Sequence, residues 1–122
     1  MRELKFRVWS EEDKEYRTDC DVFKLFHGKT GCPATIYSDE GDRFDIEQYT
    51  GLKDKNGKPI YDGDIVDDGY SNICEIRWRE KCAGFKAVNE NDGYATNVWF
   101  VSKYGEVIGN IHENPELLEE EE

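Results

Sequence analysis

Gln48-Tyr49-Thr50-Gly51-Leu52-Lys53-Asp54-Lys55-Asn56-Gly57-Lys58-Pro59-Ile60-Tyr61-Asp62-Gly63-Asp64-Ile65-Val66 is the stretch whose reading decides the fold. Asp54-Lys55-Asn56-Gly57 reads as a tight turn, in which Gly57 supplies a positive φ without steric cost. Pro59-Ile60-Tyr61 leads from it into a second turn, Asp62-Gly63-Asp64, and Ile65-Val66 then starts a strand.

Strands recur towards the C-terminus. In residues 73–79, Cys74, Ile76 and Trp78 share one face while Glu75, Arg77 and Arg79 share the other, the period of a half-buried strand. Residues 85–88 and 97–101 read as further strands, separated by Asn89-Glu90-Asn91-Asp92-Gly93. Tyr104-Gly105 turns the chain into a last strand at 106–111. Five short strands punctuated by turns predict a small SH3-like barrel over residues 60–111. Asn114-Pro115-Glu116 then predicts a short helical turn, with Asn at the N-cap, Pro at the first position and an acid in the first turn. Leu117 and Leu118 anchor it, and residues 113–122 form an acidic tail whose Glu119–Glu122 run repels itself and frays.

Towards the N-terminus, Leu4, Phe6 and Val8 alternate with Lys5, Arg7 and Trp9, so residues 3–9 predict a half-buried strand. Ser10-Glu11-Glu12-Asp13 suits a turn into a second strand, because no amphipathic helix continues from it. Residues 16–37 carry mixed signals: Val22, Phe23, Leu25 and Phe26 fit a helical stripe or a strand, and Gly28, Gly31 and Pro33 interrupt them. Ile36-Tyr37 and Phe44-Asp45-Ile46 read as short strands around Ser38–Asp42. The expected fold class is therefore mainly β. A single domain, residues 1–122, carries the barrel with the N-terminal strands packed against it.

The chain has 16 basic and 28 acidic residues, a formal net charge of −12. Such a chain repels the phosphate backbone, since non-specific nucleic-acid affinity comes from Lys and Arg releasing counterions. The charge fits a solvated surface; a decoy that imitates nucleic acid and occupies a basic partner is the sharper alternative. Aromatic residues make up 13%, enough to supply a core that a disordered chain would lack. There is no apolar run near 18 residues and no apolar segment after Met1-Arg2-Glu3, which points to a cytoplasmic protein whose Cys20, Cys32, Cys74 and Cys82 stay reduced.

The motifs of common chemistries do not fit. Cys20, His27 and Cys32, with Cys74 and Cys82 as additional thiols, lack the short Cys-x2–4-Cys spacing that presents two thiolates to one zinc ion. Asp54, Asn56 and Gly57 resemble the middle of a calcium loop, but that register puts Leu52 and Gly63 where side-chain oxygens are required. Neither a phosphate-binding glycine loop nor a nucleophile elbow is present, and His27 and His112 fall in no acid–base spacing. The expectation is a non-enzymatic protein without metal or cofactor. Arg77, Arg79, Lys81 and Lys86, beside Trp78, form a basic patch of the kind small β-barrels use for nucleic acid, and Lys53, Lys55 and Lys58 form another. The net charge and the inward direction predicted for Trp78 weigh against that use.

Three segments resemble the YopX family of bacteriophage and prophage proteins: Met1–Trp9, the Gln48–Val66 stretch, and Val107-Ile108-Gly109-Asn110-Ile111-His112-Glu113-Asn114-Pro115-Glu116-Leu117-Leu118. They occur in family order and span the chain. The resemblance implies a phage or prophage product of the bacterial cytoplasm with a mostly-β, partly barrel-like fold, and carries over no catalytic residues. The expected function is an accessory protein that binds another protein, of host or phage. Trp9, Tyr49, Tyr61, Tyr70 and Trp99 are its candidate contact residues, because interfaces favour Tyr and Trp. Self-association through an exposed edge strand stays open.

Overall fold

A computed structural model describes residues 6–17, 35–37, 41–89, 91 and 93–119, the backbone alone for 35–37. The chain forms two compact units, one of Leu4–Gln48 and one of Tyr49–Glu122 with Met1–Glu3. Cys20, His27, Cys32 and most of the ambiguous 16–37 segment lie outside the described residues, as do Glu120–Glu122.

The first unit is an antiparallel sheet. Strand β1 (Phe6–Ser10) pairs with β2 (Glu15–Arg17) on one side and on the other with the first half of β4 (Arg43–Lys53), which also pairs with β3 (Thr35–Tyr37). The expected Ser10–Asp13 turn is present: Lys14, at φ 56°, donates its N–H to the Ser10 carbonyl at 2.9 Å, closing the β1–β2 hairpin. The expected alternation fails at its end, because Val8, Trp9 and Ser10 are all buried. Trp9 keeps its ring edge-on to Tyr16, 5.0 Å between centroids, and donates its indole N–H to the Glu11 carboxylate at 3.0 Å. Two acids on β4 are buried here as well. Glu47 accepts from the Arg7 guanidinium at 2.7 Å and from the Tyr16 hydroxyl at 2.9 Å, and Asp45 accepts from Arg43 at 3.1 Å. A buried carboxylate persists only with such partners.

In the second unit, residues 49–53 of β4 pair with β5 (Pro59–Tyr61) across a register shift. There the Thr50 hydroxyl stands in for the ladder, donating to the Ile60 carbonyl at 2.8 Å and accepting from the Leu52 N–H at 3.2 Å. A five-stranded antiparallel sheet follows: β6 (Asp64–Asp67), β7 (Ile73–Arg79), β8 (Gly84–Asn89), β9 (Tyr94–Asn97) and β10 (Glu106–Asn110), in the spatial order β10-β6-β7-β8-β9. The last strand returns beside the first, an arrangement compatible with the expected small SH3-like barrel, and the sheet is curled. Its core is Ile60, Val66, Cys74, Ile76, Ala87, Val98 and Val101. The C-terminal turn is a 3-10 helix, Pro115–Leu118, with Asn114 at the N-cap and Pro115 starting it as expected; the Asn114 side chain makes no cap hydrogen bond, and its amide oxygen instead accepts the Asn110 N–H at 3.2 Å.

Two expectations are corrected. Residues 97–101 are not a strand: β9 ends at Asn97, and Val98–Tyr104 is helix α1. Val98 and Val101, three apart on a helix, both reach the core, which leaves Trp99, Phe100 and Tyr104 outside. Trp78 is not a core residue. It lies on the Cys74–Ile76 face, but at the end of β7 beyond the core, and is 47% exposed with its ring edge-on to Phe85.

Candidate functional site

The two turns of the Gln48–Val66 stretch are consumed by structure. The Asp54 carboxylate accepts the N–H groups of Asn56 and Lys58 at 2.9 Å through one oxygen and that of Val107, on β10, at 2.9 Å through the other. Burial alone would raise its pKa, but these backbone donors outweigh burial and hold it below the usual carboxylate value. Asp64 closes the second turn by accepting the Tyr61 N–H at 2.8 Å. Gly63 sits between strands, donating to the Ile76 carbonyl and accepting from the Ile111 N–H, each at 2.9 Å. Every one of these carboxylates already has an occupation inside the fold.

The candidate contact residues separate cleanly by exposure. Trp9 and Tyr49 are buried, at 2% and 5%, and so offer no surface to a partner. Tyr61 is half-buried, with its ring 5.5 Å from that of Tyr49. Tyr70 and Trp99 are 61% and 50% exposed. The structure gathers these two with Phe100 and Tyr104 into one surface. Tyr70 meets Tyr104 edge-on at 5.8 Å, Tyr104 lies 6.3 Å from Phe100, and Phe100 meets Trp99 edge-on at 5.2 Å. Lys103 lies over the Trp99 ring, 5.5 Å from its centroid. Phe100 and Tyr104 were missed by sequence reasoning; their i, i+4 spacing opposite Val98 and Val101 is the signal that finds them.

These rings stand on a fixed backbone. Asp68, buried, accepts the Tyr70 N–H at 2.7 Å and the Asn72 N–H at 3.2 Å through one oxygen, and the Asn72 side-chain amide at 2.9 Å through the other. Burial pushes the Asp68 carboxyl up, and these donors together with the Tyr94 hydroxyl bring it below its ordinary value. Gly69, at φ 88°, lets the loop touch α1: a Cβ there would lie 2.4 Å from the Tyr104 carbonyl oxygen. With roughly half of each ring in solvent, the four aromatics present on the order of 400 Å². That matches the largest apolar patch of an ordinary monomer, which is often functional.

The basic set is less continuous. Arg77 and Lys86 are cross-strand partners, and Arg79 lies opposite Gly84. Arg77 donates to Glu75 at 3.0 Å, Lys86 to Asn97, and Lys81 follows Glu80 in the 3-10 turn Glu80–Cys82. Cys74 is a core residue; burial, reinforced by the charges of Asp68 and Asp67, pushes its thiol up to about 12. Cys82 is exposed.

The family model described as YopX protein matches residues 5–119. Two solved structures are similar over nearly the whole chain. Protein EF1440 from Enterococcus faecalis is 31% identical, with a TM-score of 0.61 over 98% of this chain and 100% of that one. Protein YopX from Bacillus subtilis is 25% identical, with a TM-score of 0.53 over the same shares. No curated protein matches. The residues matched run from β1 to the end of the C-terminal 3-10 turn, taking in both units, and the chain belongs to the YopX family.

Proposed function

We propose that this chain is a non-enzymatic accessory protein of phage or prophage origin, acting in the bacterial cytoplasm by binding another protein through Tyr70, Trp99, Phe100 and Tyr104. The observation that carries the reading is that four large rings are exposed together while the backbone beneath them is pinned. Aromatics already held in place lose little entropy on binding, which is the property of interface anchors. No helix among the described residues is long and apolar enough to cross a membrane.

The test is affinity capture from extracts of lysogenic host cells, with wild-type protein and with Trp99→Ala and Tyr70→Ala variants. A defined species that co-purifies with wild type and is lost from both variants, whose circular dichroism is unchanged, is the expected result. Capture that is indifferent to both changes sinks the reading.

A second reading, nucleic-acid binding through Arg77, Arg79, Lys81 and Lys86, gains from the exposure of Trp78 beside them. A titration with single-stranded and duplex DNA at low salt decides it: no binding removes the reading.

A further inference from the structure

The strands that lead into the aromatic surface end in acids. Asp67, the last residue of β6, and Glu106, the first of β10, are direct cross-strand partners. Asp67 stands three positions before Tyr70 and Glu106 two positions after Tyr104. Like charges directly opposite each other in a sheet repel. Asp67 accepts the Gly69 N–H at 2.8 Å and Glu106 accepts the Asn56 amide at 3.1 Å. Neither is ion-paired with a cation among the described residues. The buried Asp68 adjoins them and is held ionised by its donors. Asp67 and Glu106 thus stand within three sequence positions of Tyr70 and Tyr104, and the neighbouring cations are Lys103 on α1 and Lys55, whose N–H donates to the Gly105 carbonyl at 3.1 Å, in a chain whose net charge is −12. A second copy of the chain brings the same charge, so self-association through this surface works against electrostatic repulsion.

Resting on the protein-binding reading above, we propose that this surface seats a basic segment of a partner protein, with an arginine or lysine side chain against the Tyr70 and Tyr104 rings and its charge met by Asp67 and Glu106. The chain already displays half of the chemistry, since Lys103 rests over the Trp99 ring. A cation over a ring is attracted to its face, and arginine, planar and weakly hydrated, is preferred to lysine in this role. The excess of acid draws such a segment in from a distance and rejects acidic surfaces of the same shape. The local charge complementarity selects the occupant, and the rings hold it.

The experiment titrates the full chain with three short blocked peptides, alternating glycine with arginine, with lysine or with glutamate, read by calorimetry and tryptophan fluorescence. The expected order is arginine tighter than lysine, with no binding of the glutamate peptide. The Asp67→Asn/Glu106→Gln double variant is expected to weaken the arginine peptide on the order of tenfold, and Tyr70→Leu/Tyr104→Leu to erase the preference for arginine over lysine. Glu116→Gln/Glu119→Gln, which removes the same charge from the exposed C-terminal turn, is expected to leave affinity within about twofold at physiological salt. Equal weakening by the two acid-removing variants reduces the binding to general attraction by a polyanion and overturns the proposal. So does binding that no variant changes, or binding of the glutamate peptide. If Trp99→Ala abolishes capture of a cellular partner while the arginine peptide fails to bind, the protein-binding reading stands and the basic occupant falls. Single Glu106→Gln, at a half-buried strand end, serves where a double variant melts early.

Discussion

The Asp54 carboxylate accepts the Val107 N–H at 2.9 Å across 53 positions of sequence. This one side chain closes its own turn and ties that turn to β10. Asp54→Ala removes three charge-assisted hydrogen bonds and leaves the part-buried N–H groups of Asn56, Lys58 and Val107 without this acceptor. The expected loss is about 3 kcal/mol, read as a lower urea midpoint with an unchanged slope. A loss under about 0.5 kcal/mol would show that water replaces the carboxylate and that the tie is decorative.

Asp54 and Asp68 also set the response to acid. Folding lowers both pKa values, because backbone and side-chain donors outweigh burial at each. Both carboxylates therefore favour the folded state above the unfolded pKa of about 3.9, and that contribution is lost as pH falls through the lower folded values. The urea midpoint is expected to hold steady from neutral pH down to about pH 5 and to fall steeply below about pH 4. In Asp54→Asn the decline should be shallower, from a lower starting point.

Gly69 and Gly57 both have positive φ, at 88° and 86°, yet they predict different costs. A methyl at Gly57 meets nothing within 4 Å, so Gly57→Ala carries only the left-handed backbone penalty, about 1 kcal/mol. At Gly69 the methyl collides with the Tyr104 carbonyl, so Gly69→Ala should cost on the order of 3 kcal/mol. It should also weaken partner capture, since Tyr70 shifts with the loop. Paired thermal melts check the ranking, and equal melting points would contradict the close approach.

Cys74 and Cys82 should differ sharply in reactivity. The thiolate is the reactive form, and a thiol pushed up to about 12 in the core supplies almost none at pH 8. Alkylation followed by peptide mass mapping is expected to label Cys82 in the native protein and Cys74 only after urea unfolding. Labelling of both at equal rates in the native protein would place Cys74 outside the core.

The turns and the β7 strand were legible because local chemistry decides them. Asp, Asn and Gly at 54–57 and 62–64 have one good use. Cys74 and Ile76 alternating with Glu75 and Arg77 have one good phase. The helix was illegible for the opposite reason. Val98-Trp99-Phe100-Val101 is rich in β-branched and aromatic residues, so its propensity reads as strand, and only packing of Val98 and Val101 into the core selects α1. Trp78 was misplaced because alternation gives a face but not where the core stops. Half of the aromatic surface stayed hidden with α1, since Phe100 and Tyr104 join Trp99 and Tyr70 only once that segment is helical. Trp9 and Tyr49 share their residue types with Tyr70 and Trp99, and burial alone tells them apart.

The tip of the β7–β8 hairpin offers a contrast to the Asp54 turn. Residues 80–82 are exposed, and the backbone bond closing them, from the Ala83 N–H to the Glu80 carbonyl, is local. A purification tag or fluorophore grafted between Lys81 and Cys82 should leave the domain intact, whereas the same graft between Lys55 and Asn56 should prevent it from assembling. For anyone building a reporter from this protein, the stretch that is easiest to recognise is the one place to leave uncut.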